Sequence, residues 1–226
     1  MMRLPKTYDD PFGNYPQHVG KPKISYSQYT SWTDPLYKND YIRSYFMGEK
    51  QEPGIYAKFG SACGKYLETE EVDETWLSED DVMILRKLSR PLDAKYEGEI
   101  VIDRGWYVIQ GFIDQEYKVD GKLYIKDLKT GNIKTKVPFY SSDKYQQTTI
   151  YTYGRLQENF DIEYSGVILL GRKGDGDRWG NLRLSGEIKE IPTPYSNERA
   201  KKALINIDVA AIEISNAYEL FLKLNN

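Results

Sequence analysis

The stretch Trp106–Lys129 is the sequence feature that most limits what this chain can fold into. Residues 106–117, WYVIQGFIDQEY, are rich in the β-branched and aromatic side chains that favour a strand. The Asp120-Gly121 pair that follows is a strong signal for a hairpin turn. Residues 123–129, LYIKDLK, alternate apolar and polar side chains, as half-buried strands do. We therefore predict two strands joined by a tight turn.

Three charged residues lie within these otherwise apolar strands. Asp114 is near the end of the first strand, and Asp127 and Lys129 are two residues apart on the second, so both point to one face of the sheet. Two carboxylates and one amine meeting there would suit a divalent metal ion with a cationic partner. An Asp-x-Lys pair by itself is more typical of a solvated sheet face. A following helix with Gln147 and Tyr151 one turn apart favours the functional interpretation.

Composition restricts the function classes. The chain has 226 residues and a net charge of −3, so binding to nucleic acid would need a local basic groove rather than bulk charge. The single cysteine, Cys63, excludes an iron–sulfur cluster held by the chain's own cysteines. The single histidine, His18, argues against histidine-ligated zinc and Ser-His-Asp catalysis.

The two ends of the chain give expectations about organisation and location. We predict an extended arm over residues 1–22, which four prolines interrupt, and one domain over residues 23–226. No apolar run is long enough to cross a membrane, and the start of the sequence shows no secretory signal. We therefore expect a cytoplasmic protein with no membrane partner.

The order of the elements predicts an α/β fold with a mixed central β-sheet flanked by helices. We expect helices over 55–68, 142–156 and 197–224, a loop over 130–140, and a hairpin from 161 to 191. The first of these helices carries Gly60 and Gly64 on a small-residue surface. Such a surface typically permits close packing, and it is also compatible with the helix delivering Glu68 to a site.

Taken together, these motifs resemble the PD-(D/E)xK nuclease superfamily, and in particular its RecB-like and lambda-exonuclease-like branches. GFID at 111–114 resembles the motif with the first metal-binding Asp, and IKDLKTG at 125–131 resembles the (D/E)xK strand. QTTIY at 147–151 resembles the Gln-x-x-x-Tyr motif of RecB-type nucleases. FGSACGKYLE at 59–68 and SYSQYTSW at 25–32 resemble the upstream helix motif and the short helix that begins many such domains.

The resemblance implies a restriction-endonuclease-like core and a Mg²⁺-dependent DNA nuclease, with Mn²⁺ able to substitute. It favours an exonuclease of replication, recombination or repair. Asp114, Asp127, the backbone carbonyl of Leu128 and, in a supporting role, Glu68 would hold the metal. Lys129 would orient the attacking water and stabilise developing charge.

Other residues would support the reaction or hold the substrate. Gln147 and Tyr151 share a helix face and would fix Lys129 or the scissile phosphate. Lys134, Lys136, Lys144 and Arg172 would contact the DNA backbone, although some are expected to be ordinary solvated surface. Lambda-type relatives form rings, so a homo-oligomer or a recombination partner protein is a further expectation. The same resemblance leaves a viral origin open.

The chain departs from the family pattern at one position. In RecB-type domains the upstream helix often supplies a metal-binding His four residues after the Gly, and Gly64 occupies that position here. Glu68, one turn later, is the natural substitute. The missing His motivates an alternative in which the protein is a catalytically weak or inactive nuclease-fold protein that binds DNA or a partner. A third interpretation is a tyrosine-rich interaction domain with 20 tyrosines and fortuitous motifs.

Overall fold

A computed structural model describes residues 20–49, 51–88, 91–174 and 181–225. Its helices are α1 Tyr26–Thr33, α2 Lys38–Tyr41 with a π-helical turn over Ile42–Phe46, α3 Ile55–Thr69, α4 Glu79–Leu85, α5 Ile133–Tyr140, α6 Gln147–Gln157 and α7 Asn197–Asn225. Its strands are β1 Lys23–Ile24, β2 Gly98–Asp103, β3 Val108–Ile113, β4 Gln115–Val119, β5 Lys122–Gly131, β6 Ile162–Lys173 and β7 Arg183–Pro192. The predicted arm lies outside the described residues as far as residue 19, and so does His18.

The strands form two sheets. The first has the order β1–β3–β2, with β1 parallel to β3. The second has the order β4–β5–β6–β7, in which the central β5–β6 pair is parallel and both outer pairs are antiparallel. Parallel neighbours need a long crossover connection, and α5 and α6 lie in the connection from β5 to β6. The mixed α/β class expected from the sequence is confirmed, with the strands divided between two sheets.

The chain divides into two compact units. Of the described residues, those within 20–52, 99–111 and 201–225 form one unit, and those within 53–98 and 112–200 form the other. In the first, Trp32 packs edge-on against Tyr41, with 5.4 Å between the ring centroids. Phe46 packs in the same manner on Tyr218 of α7 at 5.1 Å. These aromatic contacts make α7 part of that unit's core.

The second unit has an apolar cluster on each face of its sheet. One cluster joins α3 and α4 to the sheet, and Phe59, Cys63, Leu85 and Leu170 are fully buried in it. The other cluster contains Tyr140, Tyr145, Val167, Leu169 and Ile191, with Ile133 and Val137 packed against it. Because both faces of the sheet are covered, the central strand β6 is continuously buried over residues 166–171.

Three elements differ from the expectations. The helix predicted over 142–156 begins only at Gln147. The predicted first strand is broken at Asp114, where the chain passes from β3 of one sheet to β4 of the other. Residues 133–140 form a helix rather than the expected loop: Asn132 caps it by accepting from Lys134 N, and Ile133, Val137 and Tyr140 bury one side. Tertiary packing thus outweighs the local sequence that indicated a loop over 130–140, and the helix accommodates Pro138.

The hairpin turn follows the sequence signal. Asp120 and Gly121 have φ values of 51° and 82° and join antiparallel β4 and β5, and positive φ at both central residues is what a type I′ turn requires. Within the described residues, no helix has the length and apolar character needed to span a membrane.

Candidate active site

Asp114, Asp127 and Lys129 come together in the second unit. The Nζ of Lys129 lies 2.6 Å from Oδ2 of Asp127 and 3.9 Å from Oδ2 of Asp114. The two carboxylates are therefore no farther apart than the sum of these distances. This is the convergence that the spacing of the two strands predicts.

Asp114 is positioned by the break between β3 and β4. The last β4–β5 register pair is Gln115 with Lys126, so the N–H of Leu128 lies beyond the end of the strand pairing. The Asp114 carboxylate accepts a hydrogen bond from this N–H at 2.6 Å. The side chain of Asp114 thus takes the place of a backbone acceptor, which holds it beside residues 127–129.

Asp127 is fully buried on β5. Its Oδ2 accepts from the Tyr145 hydroxyl at 2.6 Å as well as from Lys129. Its Oδ1 is buried and accepts no hydrogen bond from the described residues. A buried carboxylate oxygen without a partner is costly unless something else binds it.

Burial and nearby charges shift the pKa values of Asp114, Lys129 and Tyr145. Burial first, and the neighbouring charge of Asp127 second, raise the pKa of Asp114 to about 7, against the opposing effect of Lys129. Burial lowers the pKa of Lys129, but the charges of Asp127 and Asp114 outweigh it, so the net shift is upward and the side chain is an ammonium. Burial, together with Asp127, raises the pKa of the Tyr145 phenol well above its ordinary value, so this hydroxyl is a donor.

Gln147 and Tyr151 are brought together on α6. Nε2 of Gln147 donates to the Tyr151 hydroxyl at 2.7 Å, and Oε1 of Gln147 accepts from Tyr145 at 3.2 Å. The pair therefore connects to Asp127 through Tyr145. The predicted roles of Gln147 and Tyr151 stay predictions.

A cavity of about 370 Å³ opens beside these residues. Asp114 and Lys129 line it from the sheet, and Glu68 and Gly64 line it from α3. A Cβ added to Gly64 would lie 4.0 Å from a Leu128 methyl group, so the glycine permits close helix–sheet packing. Glu68 is exposed, and no group of three or more Asp, Glu, His or Cys side chains within the described ranges is arranged to hold a metal ion.

Three further residues around the site are not marked by a motif in the sequence. Tyr145 is one of them, and its position two residues before Gln147 is the one signal that points to it. Glu97 lines the cavity with a positive φ of 52°, and burial and the charge of Glu68 raise its pKa, against the opposing effect of Lys129. Gln115 also lines the cavity, and its Oε1 is buried without a hydrogen-bond partner among the described residues. Nothing in the spacing of Glu97 or Gln115 marks them.

The basic residues predicted to contact DNA lie elsewhere in the unit. The cavity lining, as far as the chain is described, does not include Lys134, Lys136, Lys144 or Arg172. Lys134, Lys136 and Lys144 are exposed. The guanidinium of Arg172 lies 3.9 Å from the Tyr56 ring centroid, and burial lowers its pKa. DNA contact by these four residues stays a prediction.

The carboxylates of Asp114 and Asp127 are of the ligand type that Mg²⁺ prefers. Mg²⁺ in proteins is commonly held by one or two carboxylates, with waters and substrate oxygens completing its shell. The unpartnered Oδ1 of Asp127 is the oxygen that a cation would satisfy.

The fold, but not the sequence, is similar to a solved structure. No family model and no curated protein matches the sequence. The crystal structure of a protein named "Putative exonuclease" from Eubacterium rectale matches 91% of this chain and 84% of its own, with 13% identity and a TM-score of 0.56. A second solved structure matches 71% of this chain and 78% of its own with 20% identity, at a TM-score of only 0.33. The chain therefore has a fold similar to that of the Eubacterium rectale protein.

Proposed function

We propose that this protein is a Mg²⁺-dependent DNA nuclease that hydrolyses phosphodiester bonds. The observation that carries the proposal is Lys129, an ammonium held between Asp114 and Asp127. The fold similarity to a protein named as an exonuclease gives independent support for a nuclease. Exonuclease action in replication, recombination or repair is our preferred form, and Mn²⁺ would substitute for Mg²⁺.

The charges explain why this site suits a cation. With both carboxylates ionised, Asp114 and Asp127 carry one more negative charge than Lys129 neutralises. Asp114, Asp127 and the Leu128 carbonyl would hold the ion, with Glu68 assisting from across the cavity. The ion, when bound, would activate a water and offset charge on the phosphate.

The chain's own residues would position the reactants. Lys129 would donate a hydrogen bond to the attacking water or to a phosphoryl oxygen. Tyr145 holds Asp127 by donating to Oδ2, which keeps Oδ1 free. Hydrolysis forms a bond from the water oxygen to phosphorus and breaks the bond from phosphorus to the leaving sugar oxygen. The water gives up a proton to solvent, and the leaving oxygen gains one.

The test is a nuclease assay on end-labelled single- and double-stranded DNA with Mg²⁺. Asp127→Ala and Lys129→Ala should abolish cleavage, and EDTA should silence the wild-type protein. Asp161→Asn, an exposed carboxylate outside the site, is the matched control. Full activity in both site variants, with the fold checked by circular dichroism, contradicts the proposal.

A second candidate function is a nuclease-fold protein that binds DNA or a partner without turnover. Two observations favour it: Gly64 stands where RecB-type domains often carry a His, and Glu68 does not join the aspartates in a three-residue metal cluster within the described chain. It predicts DNA binding in a gel-shift assay with no Mg²⁺- or Mn²⁺-dependent cleavage by the same preparation.

A further inference from the structure

The closing helix α7 carries an apolar stripe that nothing in the described chain covers. Ile205, Val209 and Ile212 are 58%, 51% and 52% exposed. Their spacing of four and then three residues places them on one face, as in the seam of a coiled coil. The buried side of the same helix, with Ala203, Ile207 and Ile214, already packs into its unit. The exposed stripe is therefore additional to the packing that the fold needs.

The same spacing extends the stripe to polar residues at both ends. Lys202 lies three residues before Ile205, while Asn216 and Glu219 follow Ile212 by four and seven residues. All three are exposed. Lys202 and Glu219 form no ion pair with any residue that the structure describes. An unpaired cation and an unpaired anion thus lie at opposite ends of one apolar seam.

We propose that this seam binds a second copy of the same chain, with the two α7 helices antiparallel. In that arrangement Val209 meets Ile212 of the second copy, and Lys202 meets Glu219 of the second copy. Two-fold symmetry produces each of these contacts twice. Ile205 meets Asn216 of the second copy. The seam is therefore complementary to its own reverse at its apolar centre and at its charged ends.

A parallel pair is disfavoured by the same residues. It would place Lys202 opposite Lys202 and Glu219 opposite Glu219, and such like-charge contacts oppose association. Charges at the ends of a seam thereby fix orientation as well as partner. A three-residue apolar centre is small, so we expect a concentration-dependent dimer rather than a permanent one.

Sedimentation velocity over a protein concentration series, from roughly 1 μM to 1 mM to bracket weak association, tests the proposal. The wild-type protein should shift from monomer to dimer. Lys202→Glu and Glu219→Lys should each weaken the dimer by roughly tenfold, because each variant replaces two attractive pairs by two repulsive ones. The double variant Lys202→Glu/Glu219→Lys should restore wild-type association, because the pairs are re-formed with reversed sign.

Two further variants distinguish contacts at the seam from the effect of a charge change elsewhere on the surface. Lys87→Glu makes the same charge change at an exposed position with no ion pair in the described chain, and it should leave association unchanged. Ile212→Gln should weaken the dimer without a charge change. A wild-type protein that is monomeric throughout the series overturns the proposal. A double variant as weak as the single ones also overturns it, because only the antiparallel pairing predicts rescue. The outcome does not depend on whether the protein is a nuclease.

Discussion

The ammonium of Lys129 and the fully buried carboxylate of Asp127 form a 2.6 Å ion pair on one strand. Tyr145 donates to the same carboxylate oxygen, Oδ2, which leaves Oδ1 as the oxygen without a partner in the described chain. Asp127 is thus held at Oδ2, while its buried Oδ1 accepts no hydrogen bond from the described residues. Such an arrangement suits a ligand that must be fixed before a cation arrives.

Removing the charge of Lys129 should lower activity far more than removing the charge of Lys122 at the start of the same strand. Lys129→Met keeps the apolar stem but removes the donor, and we expect kcat to fall by roughly 10²–10³-fold. Lys122→Met, which breaks an exposed pair with Glu163, should have little effect. Single-turnover cleavage of labelled DNA measures both variants, and equal rates in the two contradict the assigned role of Lys129.

Tyr145→Phe should weaken metal binding while preserving the fold. The ring remains to pack against Tyr140, at 4.8 Å between centroids, but the hydrogen bond to Asp127 is lost. Loss of a residue that orients a metal ligand typically lowers metal affinity by about 10–100-fold. Calorimetric titration with Mn²⁺ measures this, with the half-buried Tyr153→Phe as the control. If Tyr145→Phe binds Mn²⁺ with the same affinity as the wild-type protein, Tyr145 does not orient Asp127 for metal binding.

Asp114 should make the metal-free protein less stable as pH rises from acid to neutral. Its folded-state pKa is raised to about 7 by burial and by Asp127, whereas an unfolded Asp has a pKa of about 3.9. Between these values the native state binds more protons than the unfolded state, so the free energy of unfolding decreases with increasing pH. The side chain is 32% exposed, so solvent screening moderates the effect.

Asp114→Asn isolates this contribution. Urea unfolding in EDTA at several pH values through this window should show a smaller loss of stability in the variant than in the wild-type protein. Identical pH dependence in the two would show that Asp114 does not titrate in this range.

The buried ion pair between Arg155 and Glu116 should be costly to break from one side. Nε and Nη2 of Arg155 donate to the two oxygens of Glu116 at 2.8 and 2.9 Å, and both side chains are more than 90% buried. Glu116→Leu leaves the buried guanidinium paired only with the partly exposed Glu158, through Nη1 at 2.6 Å, and removing one partner of a buried ion pair costs about 3–5 kcal/mol. The double variant Glu116→Leu/Arg155→Met should recover most of this loss in urea unfolding. If Glu116→Leu lowers the free energy of unfolding only slightly, Glu158 alone satisfies the guanidinium.

Gly64→His should strengthen metal binding if Gly64 is the position where this chain lost a ligand. The nearest atom to an added Cβ is a Leu128 methyl carbon at 4.0 Å, an ordinary contact, and Gly64 lines the cavity. Gly64→Ala is the control, and it should stabilise the helix by about 0.5–1 kcal/mol without changing metal affinity. Mn²⁺ titration that gives the same affinity for both variants contradicts the proposed equivalence of this position.

The sequence by itself determined the hairpin turn and which of the site residues share a face of their strand or helix. The Asp120-Gly121 turn sets the hairpin, and the strand period places Asp127 and Lys129 on one face. Helical spacing likewise places Gln147 one turn from Tyr151. These features depend on near-neighbour geometry, which backbone periodicity fixes.

Only the tertiary structure decided what surrounds those residues. The break at Asp114, the helix at residues 133–140 and the hydroxyl of Tyr145 on Asp127 depend on which segments pack together, and packing outweighs local propensity. Glu97 and Gln115 come to the cavity for the same reason, without any spacing signal. Whether a carboxylate oxygen is left unpartnered also depends on contacts between distant segments, and such contacts leave no periodic trace in the chain.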